Sequence, residues 1–154
     1  MSQPTPLFTS LEGISDLQGE IFGPSSWYEV TQEDIDRFAV VTRDFNPIHI
    51  DAEYAAKSRY GVKIAHGLLT VGLLVPMLRE IFGIEDASLR INYGLDRVRF
   101  PAVVPVGARL RLRGEVKKVS DIQGGKQVTL GLAHELEGET KPACVLDFIA
   151  WYYS

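Results

Sequence analysis

The chain has 154 residues, with 16 Lys and Arg against 20 Asp and Glu, a formal charge of −4, and 45% hydrophobic and 23% charged residues. One real core is expected from that composition, with no room for a second domain, and an excess of acids argues against nucleic acid as a partner because phosphate binding needs a basic surface. The lone Cys144 rules out an intrachain disulfide, and Met1 to Pro6 lacks the basic region and apolar run of a secretory signal, so a cytoplasmic protein is expected.

Residues 1–25 carry no clear pattern and are set apart as an N-terminal extension; 26–154 is read as one domain. Trp27 to Val30 is predicted to be a strand. Thr31, with Asp34 three residues on, signals the cap of a helix whose Ile35, Phe38, Ala39 and Val41 lie near one face. Asn46-Pro47 then forces a turn, because proline fixes its own φ and pushes the residue before it out of the α region. A short helix is expected from Ala52 to Arg59, with Asp51 and Glu53 at its start as capping acids. An irregular crossing, Tyr60 to Ala65, brings His66 to a long helix from Gly67 to Phe82, with Gly83 as its stop.

From Gly67 to Leu78 that helix carries no charge and is apolar nearly all round, which predicts a helix enclosed on most sides. It is too short for a membrane span, which needs about 20 apolar residues, and no membrane association is expected. Pro76 removes the hydrogen bond to the Gly72 carbonyl, so a kink is predicted there. Strands follow at about 88–100, 108–119, 126–137 and 143–153, separated by turns at Pro105-Val106-Gly107, Gln123-Gly124-Gly125 and Gly138 to Pro142. The expected class is α+β, an antiparallel meander that with Trp27 to Val30 makes a five-stranded sheet wrapped around the central helix.

The chemistry concentrates in Asp44-Phe45-Asn46-Pro47-Ile48-His49 and the downstream His66-Gly67. A carboxylate and an imidazole on one rigid loop suit a site that holds a water and moves a proton on and off it near neutral pH. Each residue alone also fits a structural role, as a cap, a turn or a satisfied histidine. No metal is expected, because only His49, His66 and His134 exist and none has metalloprotease spacing. Arg109, Arg111 and Arg113 share one strand face, as do Arg97 and Arg99, and this stripe is either a nucleotide-phosphate site or the solvated side of a half-buried sheet. Cys144 and His134 are read as strand residues, the cysteine packed in the core.

The run Asp44-x-Asn46-Pro47-x-His49 with His66-Gly67 resembles the hydratase signature of the MaoC-like family, which includes the (R)-specific enoyl-CoA hydratases. The likeness continues through Ile91-Asn92-Tyr93-Gly94-Leu95, Arg99-Phe100-Pro101 and Pro105-Val106-Gly107, and covers the chain from about Trp27 onward. It implies a hot-dog fold acting as a homodimer on acyl thioesters of coenzyme A, adding water across a trans-2-enoyl double bond. Coenzyme A would enter only as part of the substrate, with no separate cofactor. In that reading Asp44 and His49 are catalytic, holding the water between them, with Asn46 orienting one of them or the water. The N–H of Gly67, at a helix N-terminus and without a Cβ, receives the charge that moves onto the thioester oxygen, and His66 beside it fixes the loop or contacts substrate.

One departure is Val75, where some family members carry a serine nine residues after the His-Gly histidine. Two other functions compete. Hot-dog thioesterases and 3-hydroxyacyl-acyl-carrier-protein dehydratases often use a carboxylate on the central helix, whereas the first acid on this one is Glu80, near its far end. A non-catalytic subunit that binds an acyl thioester is the other, against which the intact Asp44 and His49 count.

Overall fold

The computed structural model describes residues 5–154. Ahead of the first helix lie β1 (Leu7–Thr9), a 3-10 turn (Gly13–Leu17), β2 (Ile21–Phe22) and β3 (Tyr28–Glu29). Ile14 and Phe22 are fully buried, and the Phe22 ring sits 5.0 Å from that of Phe82, so this segment is packed into the same core as the rest. The capping box read from the sequence is formed. Thr31 Oγ1 accepts from the Asp34 N–H at 3.2 Å and the Asp34 carboxylate accepts from the Thr31 N–H at 3.0 Å, which starts α1 (Gln32–Thr42). Two short helices follow, α2 (Pro47–Ile50) and α3 (Ala52–Lys57), each begun by a side chain: Asn46 Oδ1 accepts from Ile48 N–H and Asp51 Oδ1 from Tyr54 N–H.

The central helix is two pieces, α4 (Gly67–Gly72) and α5 (Leu74–Ile81), joined at Leu73. The break lies where Pro76 leaves the Gly72 carbonyl without a partner, and the next bond, Met77 N–H to the Leu73 carbonyl, is stretched to 3.5 Å. Phe82 leaves in an extended conformation, φ −149° and ψ 136°, so the helix stops before the expected glycine. Gly83 instead lies inside β4 (Phe82–Ile84), which runs parallel to β1. Leu74, Met77, Leu78 and Ile81, at helical spacing, are buried, each contributing roughly 1.5–3 kcal/mol relative to exposure. The expectation of enclosure on most sides fails at Leu68, 67% exposed, and at Gly72 and Pro76, which are open. The sheet grips one side of this helix and leaves the other free.

The remaining chain forms β5 (Leu89–Arg99), β6 (Arg109–Ile122), β7 (Gly125–Leu136) and β8 (Cys144–Tyr153). The large sheet has six strands rather than five, in the order β2-β6-β7-β8-β5 with β3 also on β6, and every pairing is antiparallel. Alternate residues line the core, among them Leu110, Leu112 and Val116 on β6, Val128, Leu130 and Leu132 on β7, and Leu146, Phe148 and Ala150 on β8. Only β6 to β8 form the expected meander. The turn at Pro105 to Ala108 exists, with Gly107 at φ 82° and Ala108 N–H bonded to the Pro105 carbonyl. It does not return the chain to β5, because the residues before it bond elsewhere: Ala65 N–H to the Val104 carbonyl and Val106 N–H to the Lys63 carbonyl. The connection therefore crosses the end of the sheet, clamps the segment that leads to His66, and leaves β5 beside β8 with its other edge unpaired among the described residues. Leu89, Ile91, Tyr93 and Leu95 on that strand are all exposed. Among the described residues no helix is long and apolar enough to cross a membrane.

Candidate active site

Helix α1 ends at Arg43, held in the left-handed region at φ 63°, and this reversal delivers Asp44 to the loop before α2. The loop is fixed by its own polar groups. Asn46 N–H donates to Asp44 Oδ1 at 3.3 Å while the Asn46 side chain caps α2, so Asn46 orients Asp44 through its backbone and its amide is engaged locally. His49, half-buried in α2, donates Nδ1–H to the Ile64 carbonyl at 2.7 Å. That bond leaves Nε2 as the ring's lone pair, pointing away from the backbone. Burial holds the His49 imidazole below its usual pKa, with the neighbouring His66 acting in the same direction and the Ile64 carbonyl and Asp44 opposing them.

His66 is buried, with 2% of its side chain exposed, and gives Nε2–H to the backbone carbonyl of Asp44 at 3.0 Å. Its Nε2 lies 4.0 Å from the Asp44 carboxylate, and its ring lies against that of His49, centroids 3.8 Å apart at 31°. Phe38 of α1 closes the other side at 4.9 Å. One ligating atom from each of Asp44, His49 and His66 falls within 4.8 Å of the others. A metal fits this set poorly. Lone pairs lie in the imidazole planes, and two rings stacked this closely direct them side by side rather than at one ion about 2.0–2.1 Å from each. A water bound to His49 Nε2 and the Asp44 carboxylate asks for less convergence.

Gly67 opens α4, and its N–H lies in the first turn, where there is no intrahelical acceptor. A Cβ built on it would come within 3.0–3.1 Å of the Phe100 ring, so the absent side chain is what allows Phe100 to cover this point. His49, Gly67, Thr70, Phe100, Val103 and Ala143 line a cavity of about 180 Å³. Asp44, its side chain 52% exposed, does not line the cavity itself and lies beside His66, 4.0 Å from its Nε2. Phe100 and the Ile64 carbonyl went unnoticed in the sequence. The Arg99-Phe100-Pro101 run was a signal for the first, whereas nothing in a sequence marks a backbone acceptor.

Val75 lies elsewhere, on an apolar groove of about 400 Å³ with Val71, Gly72, Leu95 and Phe148 between the open side of the helix and β5. Glu80 accepts from the Ser26 N–H at 2.8 Å and is structural. The arginine stripe is paired in place: Arg109 with Glu137, and Arg111 and Arg113 sharing Glu135. Arg97 is not on a strand adjacent to β6, since β5 lies across the sheet, and it pairs with the buried Asp147 of β8, which Lys117 also holds. Arg99 bonds the Val98 carbonyl. These partners are those of the solvated side of a sheet.

Residues 15–137 match the MaoC like domain. The chain is 41% identical over 146 residues to 3-hydroxyacyl-thioester dehydratase Z of Mycobacterium tuberculosis, covering 94% of this chain and 97% of that one. It is 44% identical over 91 residues to 3-hydroxybutyryl-CoA dehydratase of Methylorubrum extorquens, covering 59% and 55% of the two chains. In fold it is similar to an (R)-hydratase of Pseudomonas aeruginosa, with a TM-score of 0.73, 23% identity, and 89% and 82% of the chains covered. With a family model matched over most of its length and a relative 41% identical over nearly the whole of both chains, the chain belongs to the MaoC-like domain family.

Proposed function

We propose that this hydro-lyase of acyl thioesters hydrates trans-2-enoyl-CoA to (R)-3-hydroxyacyl-CoA and runs the dehydration in reverse. The single observation behind it is the convergence of Asp44, His49 and His66, whose ligating atoms fall within 4.8 Å of one another, with His49 lining the same cavity as Gly67. Water held by His49 Nε2 and Asp44 loses one proton to the pair as its oxygen bonds to C3. Charge moving onto the thioester oxygen is met by the Gly67 N–H, and the proton is returned to C2. Water is consumed whole, as hydroxyl at C3 and hydrogen at C2. His49 suits the base role because its Nδ1–H is already committed to Ile64 and because a lowered pKa keeps the ring neutral through pH 7.

A second copy of the chain as partner is supported by β5, whose unpaired edge and exposed Ile91, Tyr93 and Leu95 are of the kind normally covered. Loss of enoyl-thioester absorbance with crotonyl-CoA, with the product resolved on a chiral phase, is the test. Asp44→Asn and His49→Ala, each shown to be folded, should lose on the order of 100-fold or more in kcat. Unchanged turnover in either variant removes that residue from the chemistry. Turnover only with an acyl-carrier-protein thioester would make the protein a dehydratase of that carrier, and binding without turnover would make it a non-catalytic subunit.

A further inference from the structure

His66 contacts both catalytic candidates at once, and neither contact is to its neighbour's reactive atom. Its Nε2–H is spent on the Asp44 carbonyl, 3.0 Å away, and its ring face is spent on His49. Nδ1 is buried without a hydrogen-bond partner, so a proton there would find no acceptor, and the tautomer is set with hydrogen on Nε2 alone. Phe38 behind the ring prevents it from tilting away. Asp44 comes from the end of α1 and His49 from α2, and the loop between them turns at Asn46-Pro47. A ring wedged against one and bonded to the other sets their separation.

We propose that His66 is a positioning residue, an imidazole in the Nε2–H tautomer that fixes the Asp44 backbone and the His49 ring relative to each other and touches no substrate. It rests on the Asp44 and His49 reading for its effect on rate, and on geometry alone for its tautomer. Two substitutions separate its two contacts. His66→Phe keeps a flat ring under His49 and removes the donor to Asp44; His66→Gln keeps an N–H near the Nε2 position and removes the ring.

With crotonyl-CoA, His66→Phe should lower kcat by on the order of 10- to 100-fold with KM changed by no more than about two-fold, since a misplaced pair costs rate rather than binding. His66→Gln should recover part of that loss, and its pH profile of kcat/KM should shift as His49 loses its stacked neighbour. A lowered melting temperature with kcat per folded molecule unchanged would overturn the proposal, as would a KM that rises in step with the fall in kcat, the mark of a substrate contact. Should the wild type turn over no thioester, the functional reading fails first. The ¹⁵N shifts of His66 in the free protein then still decide the geometry: hydrogen on Nε2 at pH 8 supports the proposal and hydrogen on Nδ1 overturns it.

Discussion

His134 gives the sharpest test of how burial acts on this fold. It is fully buried on β7, opposite Leu112 and Cys144, with no partner for either ring nitrogen, and burial pushes its pKa down to about 4 from 6.5. In the unfolded chain the same ring takes up a proton near pH 6.5, so between that pH and 4 the unfolded state binds more protons and is favoured as the pH falls. Stability from this residue is complete above pH 7, declines from about pH 6.5, and levels off below 4. Integrating the two titrations gives a loss of about 2 kcal/mol between pH 8 and pH 5, which in urea is a midpoint shift of about 1 M for a typical slope near 2 kcal/mol per molar. Replacing the ring with a neutral isostere removes this contribution while keeping most of the volume. Urea unfolding at fixed protein concentration, for wild type and His134→Leu, should therefore show curves that diverge below pH 6.5, with the variant the less pH-sensitive. His49 and His66 remain in both proteins and cancel in the comparison. Parallel losses in the two proteins would refute the argument and show that His134 is protonated in the fold or partnered by water.

Gly114 faces Phe22, and a Cβ there would lie 2.1 Å from its ring, so Gly114→Ala should cost about 1–3 kcal/mol in thermal unfolding, with much of it recovered in the double variant with Phe22→Leu. Asp147 is buried, yet Lys117 and Arg97 hold its carboxyl below the usual range; because both cations reach solvent and stay hydrated without it, Asp147→Ala should cost no more than about 1 kcal/mol by chemical denaturation. Gly67→Ala should drive the Phe100 ring aside and lower kcat/KM, and adding Phe100→Ala should restore part of it if the cause is steric, as steady-state assays will read. Because His49 is held below its usual pKa, the acidic limb of kcat/KM for hydration should fall below pH 6.5, and a limb above 7 would contradict the base role.

Local signals in the sequence survived folding well. The Thr31 and Asp34 capping box, the glycine turns at 124 and 138, and the helix break at Leu73, just ahead of Pro76, are each decided by chemistry within one or two turns of chain. Pairing between distant segments was not legible. Nothing in the alternation of β5 says that Ile91 sits opposite Trp151 rather than a residue of β6, and two residues of β2 carry no periodicity at all. The arginine stripe looked like a possible anion site because Glu135 and Glu137, its partners, become its neighbours only through the register of β6 on β7. The nearness of Asp44 and His49 is legible because proline and spacing force a compact loop; the stacking of His66 on His49 needs the crossing at Lys63 to Val106, which no local rule predicts.

The placement of β5 next to β8 also bears on how the protein is made. During synthesis β5 emerges ahead of β6 and β7, yet the strand it pairs with in the sheet is β8, which follows them both. Until that strand appears, β5 has no hydrogen-bonding mate, and the groove beside the central helix lacks the wall that Phe148 supplies. Such distant pairing slows folding and lengthens the life of sticky intermediates. A nascent chain stalled before β8 is the species a chaperone would meet, with Asp44 and His49 already synthesised and no closed sheet behind them.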